Sequence, residues 1–252
     1  MKYHIDTIPV WDAYKADSEC PLCALRTKTE AMYLDNFLGA SVMEPDVRVE
    51  VNEKGFCAAH YAQMITAKNR LGLALMTHTH WKQTLQRVAA VSASLRGQAK
   101  DFSDTPAMKR LLSRTARLPM AEQAQALDAA HNTCILCDRL NATMERYLYT
   151  VLHLWKTDTA FRQTFAHSKG LCLPHLAQIC EMAVSELDAS SCQAFLDMLL
   201  SLQAVQMERL EKELEWFTLK FDYRNTEKPW GNSKDALERV INKLQGKCVG
   251  ME

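Results

Sequence analysis

Glycine and proline are scarce in this chain, 8 and 7 among 252 residues, and they cluster at a few junctions. So few chain breakers exclude a loop-rich or low-complexity protein and favour long helices. Net charge is also missing, since 30 basic residues balance 30 acidic ones. That balance calls for neither nucleic acid nor an anionic membrane. No uncharged apolar run reaches the length needed to cross a bilayer. Met1 to Lys15 has no basic start followed by an apolar run and a small-residue cleavage site, so the chain is read as cytoplasmic. No G-x-G-x-x-G, phosphate-binding loop, H-E-x-x-H or G-x-S-x-G occurs.

Cysteine, by contrast, is plentiful at nine residues. In a reducing compartment that number points to metal ligation or thiol chemistry rather than a disulfide framework. Spacing separates these readings. Cys20-Pro21-Leu22-Cys23 recurs as Cys134-Ile135-Leu136-Cys137 at an offset of 114, and Cys57-Ala58-Ala59-His60 recurs as Cys172-Leu173-Pro174-His175 at an offset of 115. Flanking residues keep the register: Lys54-Gly55-Phe56 matches Lys169-Gly170-Leu171, Ala62-Gln63 matches Ala177-Gln178, and Tyr33-Leu34 matches Tyr147-Leu148. Ligand spacing alone would not require this, so an internal repeat is expected.

Three thiolates and a neutral imidazole are preferred zinc ligands in closed, tetrahedral, structural sites. Two Zn2+ per chain are therefore expected, one held by Cys20, Cys23, Cys57 and His60 and one by Cys134, Cys137, Cys172 and His175, each pinning the starts of successive helices. Such a site has no open position for a catalytic water. Two other readings stay open for the thiols. C-P-L-C also resembles the redox motif of thioredoxin-like proteins, though no strand-helix-strand pattern surrounds it, and an iron–sulfur cluster is a further choice.

The expected fold is all-α, a duplicated helical hairpin or bundle with two metal-pinned helix junctions. Helix-compatible runs follow both C-x-x-C pairs, Ala24 to Leu38 and Asp138 to Trp155, and long breaker-poor stretches cover Ala58 to Lys100 and Leu176 to Lys220. The domain reading is a first metal-binding repeat over 1–100, a connector over 101–131, a second repeat over 132–220, and a C-terminal loop and helix over 221–252. The connector holds Lys109, Arg110, Arg114 and Arg117 between Pro106 and Pro119, read as a solvated face. In the tail, Ser233 is the expected N-cap of a helix whose Leu237, Val240, Ile241 and Leu244 recur at apolar helical spacing.

Outside the cysteines, Glu30, Tyr33, Glu145, Arg146 and Tyr147 would meet in a polar pocket if the halves pack about a pseudo-two-fold axis. Asp222, Arg224 and Asn225 lie in a polar and aromatic tail loop suited to binding. His78 and His80 are expected on the surface or facing a partner, Cys180 and Cys192 as small buried side chains, and Cys248 in the tail. Together with Gly55-Phe56-Cys57-x-x-His60, the segments Ser168-Lys-Gly-Leu-Cys-Leu-Pro-His175, Lys220-Phe-Asp-Tyr-Arg-Asn and Pro229-Trp-Gly-Asn-Ser-Lys-Asp-Ala236 are similar to an uncharacterised bacterial family, a domain of unknown function. The resemblance spans most of the chain and implies no activity. Three functions follow from the residues: a zinc-braced scaffold that binds a protein or small-molecule partner, an enzyme with a polar site between the repeats or under the tail loop, and a thiol/zinc redox sensor.

Overall fold

The computed structural model describes residues 4–67, 69–104, 121–123, 125, 127 and 132–246. Among them there are α-helices and short 3-10 turns and no strands, and no helix is long and apolar enough to cross a membrane. The helices are α1 (His4–Lys15), α2 (Pro21–Leu38), α3 (Pro45–Lys54), α4 (Ala58–Thr66), α5 (Arg70–Asp104), α6 (Ile135–Thr157), α7 (Thr159–Ala166), α8 (Leu173–Glu186), α9 (Ala189–Leu219) and α10 (Ala236–Gln245). Most of the expected connector, with its four basic residues, lies outside the described residues, as does Cys248.

Two compact units are present, cut differently from the sequence repeats. An outer unit joins Met1–Thr29 to Asn141–Glu252, and an inner unit is Glu30–Leu140. The chain enters the inner unit within α2 and leaves it within α6.

The inner unit folds around Phe37, Val51, Phe56, Met64, Met76 and Leu136. Phe56 sits edge-on to both Phe37 and Tyr61, with centroids 5.3 and 5.5 Å apart. The expected long stretch from Ala58 is divided between α4 and α5, where the Asn69 side chain accepts from the Gly72 amide at 2.9 Å at the start of α5. Once a side chain satisfies an orphan amide of a new first turn, a short helix followed by a long one competes successfully with a single continuous helix.

In the outer unit, Tyr14, Phe161, Phe165, Phe195 and Trp155 form an aromatic core, with Tyr14 and Phe161 centroids 5.1 Å apart. The second long stretch also divides, at Asp188, whose carboxylate caps α9 by accepting from the Ser191 amide at 3.0 Å. Asp158 caps α7 in the same way, accepting from Ala160 and Phe161 amides. Helix α10 packs on α8 and α9. Of the expected apolar face, Val240 and Ile241 are half-buried while Leu237 and Leu244 are exposed, and the helix also turns Ala236, Arg239 and Lys243 inward, the last two toward Glu19. Ser233 is buried and donates to the Trp230 carbonyl at 2.7 Å instead of capping; Asp235 occupies the cap position.

Candidate metal centres

Both C-x-x-C pairs sit at helix starts, with Cys23 and Cys137 in the first turns of α2 and α6. There the unpaired amides and the helix dipole favour a thiolate. In both C-x-x-H motifs the cysteine is the residue just before a helix, Cys57 before α4 and Cys172 before α8, with nearly equal backbone angles of φ −71°, ψ 164° and φ −72°, ψ 158°. The histidine then lies one turn on. Two residues ahead of each of these cysteines a glycine takes positive φ, 61° at Gly55 and 74° at Gly170. No other residue type adopts that turn cheaply, and any Cβ would strike His80 or Gln203.

The motifs come together in a nested order. The first C-x-x-C joins the last C-x-x-H, so that Cys20, Cys23, Cys172 and His175 form one cluster in the outer unit. The two middle motifs, Cys57, His60, Cys134 and Cys137, form the other in the inner unit. All eight residues expected from the spacing are therefore clustered, but the expected pairing within each half is corrected. Spacing fixes the partners inside one motif; helix packing fixes which motifs meet.

Distances in the outer cluster are 3.5 Å for Cys23 Sγ to Cys172 Sγ, 3.7 Å for Cys20 Sγ to Cys172 Sγ, and 3.1–3.5 Å from His175 Nδ1 to the three sulfurs. In the inner cluster Cys57 Sγ and Cys137 Sγ are 3.8 Å apart, and His60 Nδ1 is 3.2–3.4 Å from its three sulfurs. A tetrahedron with zinc–sulfur and zinc–nitrogen bonds of ordinary length has edges of about 3.8 Å between sulfurs and about 3.5 Å from sulfur to nitrogen. The donor sets match it in chemistry and in size.

Crowded thiols and imidazoles share protons. Burial opposes the charged imidazole of His60, but the Cys134 thiol and the Glu30 carboxylate hold it up, to about 10. Burial would likewise raise Cys134, yet the His60 contact takes it down to about 6. Cys137 is pushed up to about 12 by burial and by the neighbouring Cys134. In the outer cluster His175 rises to about 9 against its burial, through Cys172 and Cys20, and Cys20 falls well below the usual thiol value despite its burial, through Cys172, Cys23 and His175.

The surroundings of the clusters differ. His60 Nε2 faces Glu30 Oε1 at 3.0 Å, and Gln63 donates to the same oxygen at 3.4 Å. A carboxylate there fixes the tautomer that leaves Nδ1 free to bind metal. His175 has no such carboxylate among the described residues, and Met144 stands 114 residues after Glu30. The inner ligand turns are joined directly, by the Ile135 amide to the Gly55 carbonyl at 3.1 Å and by Thr133 Oγ1 to the Lys54 carbonyl at 2.7 Å. In the outer unit the buried Lys243 amine makes that link, donating to the Glu19 carbonyl at 2.5 Å and to the Lys169 carbonyl. Burial pulls the Lys243 amine down, and Glu19 and the Cys20 and Cys172 sulfurs counter this. Gln203 adds a two-way clamp, accepting from the Leu171 amide and donating to its carbonyl, both at 2.9 Å.

The other expected site residues have separate roles. Glu30 and Tyr33 belong to the inner unit, Glu30 beside His60 and Tyr33 against the inner core. In the outer unit Arg146 pairs with Asp6 at 3.2 Å, and the buried Tyr147 hydroxyl accepts from Thr29 Oγ1 at 3.5 Å. Glu145 lines an open cleft of roughly 490 Å3 with Arg26, Asn141, Gln178 and Glu181. Asp222 and Arg224 pair with each other, and Asn225 donates to the Leu219 carbonyl. The tail loop is thus folded on itself, around the Lys220 amine that donates to the Asn225, Thr226 and Lys228 carbonyls. His78 is exposed as expected, but His80 turns inward, its Nδ1 2.9 Å from the Asn52 carbonyl and its ring over Gly55. Cys180 and Cys192 are half-buried rather than buried. Glu19, Gln203 and Lys243 carry no spacing signal and are found only through the fold.

The profile of a family described as "Family of unknown function (DUF6062)" matches residues 1–251. An uncharacterized 23.9 kDa protein encoded in the xynA 3' region of Caldicellulosiruptor sp. (strain Rt8B.4) is 21% identical over 209 residues, covering 83% of this chain and 85% of that protein. No solved structure matches.

Proposed function

The chain belongs to the DUF6062 family of unknown function, and we propose that it is a zinc protein in which two closed Cys3His sites brace a helical scaffold for binding a partner or small ligand. One observation carries this reading: eight ligand atoms in two sets, each set within 4.8 Å, with sulfur–sulfur contacts of 3.5–3.8 Å and sulfur–nitrogen contacts of 3.1–3.5 Å, close to the edges of a zinc-centred tetrahedron. Thiolate and imidazole donors suit zinc better than calcium, magnesium or manganese. With four protein ligands each, the sites would supply cross-linking and not a metal-bound water. The outer site would join α2 to α8 and the inner site α4 to α6, holding each unit shut.

Matching backbone angles at Cys57 and Cys172, and positive φ at both Gly55 and Gly170, support descent of the motifs from one duplicated segment. For the ligand role, the cleft beside Glu145 and Arg26 is the candidate place. Elemental analysis of protein purified without added metal tests the metal reading. Two equivalents of zinc are expected, located at both clusters by anomalous scattering. Less than one equivalent after growth in zinc-replete medium would refute it.

A further inference from the structure

The two clusters are alike in donors and unlike in access. In the outer cluster Cys20, Cys23, Cys172 and His175 are all buried, with Cys172 wholly inaccessible. In the inner cluster Cys57 and Cys137 are half-buried, and only Cys134 and His60 are closed off. The C-terminal helix accounts for much of the outer seal. The Gly246 carbonyl at the end of α10 lies 3.2 Å from Cys23 Sγ, and a Cβ on Gly246 would come within 3.2 Å of Cys172 Sγ. Lys243 of the same helix bridges the two ligand turns.

Glu19, next to the ligand Cys20, anchors this lid. Its carboxylate meets Arg209 at 2.7 Å, Arg239 at 3.4 Å, Lys243 at 3.7 Å and Lys169 at 4.0 Å, and its side chain is almost fully buried. A buried carboxylate with several cationic partners holds its geometry far better than a surface pair. The inner cluster has no such cover among the described residues.

We infer that the inner site is an exchangeable, oxidant-responsive metal–thiolate centre, whereas the lid makes the outer site a locked one. This rests on the reading that both clusters hold zinc. The responsive sulfurs are Cys57 and Cys137, 3.8 Å apart. A hydroperoxide is the oxidant class. One thiolate attacks its O–O bond, taking an oxygen as sulfenic acid and releasing hydroxide or alkoxide. The second thiolate then attacks that sulfur and expels the oxygen as hydroxide. The sulfur pair loses two electrons, the peroxide gains two, and two protons from solvent complete the products. Cys134 and His60 alone retain the divalent ion poorly, so it leaves.

The test uses full-length protein loaded with two zinc ions, treated with hydrogen peroxide in the presence of a chromogenic zinc chelator. One equivalent is expected promptly and the second at least about tenfold more slowly, with a disulfide-linked peptide pair containing Cys57 and Cys137 found by mass spectrometry. Glu19→Gln should quicken the slow phase severalfold and leave the fast one unchanged. Release of both equivalents in one phase, or oxidation of Cys20, Cys23 or Cys172 before Cys57 and Cys137, overturns the inference while the metal reading stands. Failure of the untreated protein to load two ions overturns both.

Discussion

Nested pairing of the ligand motifs makes a prediction that pairing within each half cannot imitate. Replacing Cys20 and Cys172 together with serine removes two ligands from one cluster and should leave one zinc per chain; replacing Cys20 and Cys57 together damages both clusters and should leave none tightly bound. Pairing within halves reverses these outcomes. The stability change follows from the loops that the ions close. The outer link spans 149 residues from Cys23 to Cys172 and the inner link 74 from His60 to Cys134. Treating each ion as a chain cross-link, the restricted unfolded state is worth about 5 kcal/mol for the outer site and about 4.5 kcal/mol for the inner one. With the inner site already closed, the outer loop is effectively shortened and its value falls toward that of the inner. Loss of either link should therefore lower the Tm by roughly 10–20 °C in a chain of this size. The assay is zinc stoichiometry by elemental analysis with a calorimetric melt on each double variant. A Cys20→Ser/Cys57→Ser protein that keeps one tightly bound zinc, beside a Cys20→Ser/Cys172→Ser protein that keeps none, would refute the nesting.

Glu30→Gln should weaken zinc binding at the inner site about 10–100-fold, measured by chelator competition, and spare the outer site, because Glu30 stands behind His60 and no carboxylate among the described residues stands so behind His175. Affinity at the inner site should rise steeply with pH between about 6, the value to which the His60 contact lowers Cys134, and about 10, the value to which Cys134 and Glu30 raise His60. Metal binding there must displace at least the His60 and Cys137 protons, so acid competes with the metal, and calorimetry in buffers of different ionisation enthalpy would count the protons. Gln203→Ala, which frees both backbone groups of Leu171 beside the ligand Cys172, should cost about 1–3 kcal/mol in denaturant melts and loosen the outer site alone. Gly55→Ala should destabilise the inner unit, since its φ is positive and the new Cβ would lie 2.5 Å from the His80 ring, with a lowered urea midpoint as the readout.

Helix content and all eight clustered cysteines and histidines could be read from the chain before any coordinates. Both are local properties: scarce glycine and proline allow helices to run, and a two-residue gap places a C-x-x-C or C-x-x-H pair on one helical turn whatever surrounds it. Helix ends were less legible. Asn69 and Asp188 divide runs that apolar periodicity alone continues, and Ser233 has the chemistry of a cap but turns back to Trp230. Which motifs meet was not legible at all. The two C-x-x-C pairs are chemically equivalent, as are the two C-x-x-H pairs, and loop entropy by itself favours neighbours in sequence by about 1 kcal/mol per site. Packing of the helices in the inner and outer units outweighs that small term and sets the nested order. The same packing turns Glu30 toward His60 and brings Glu19, Lys243 and Gly246 over the outer cluster across more than 200 residues of chain. Sequence alone singled out the eight cysteines and histidines, because their spacing acts at the scale of one helical turn; only the tertiary structure decided their partners and their access, because burial and long-range pairing depend on every helix at once.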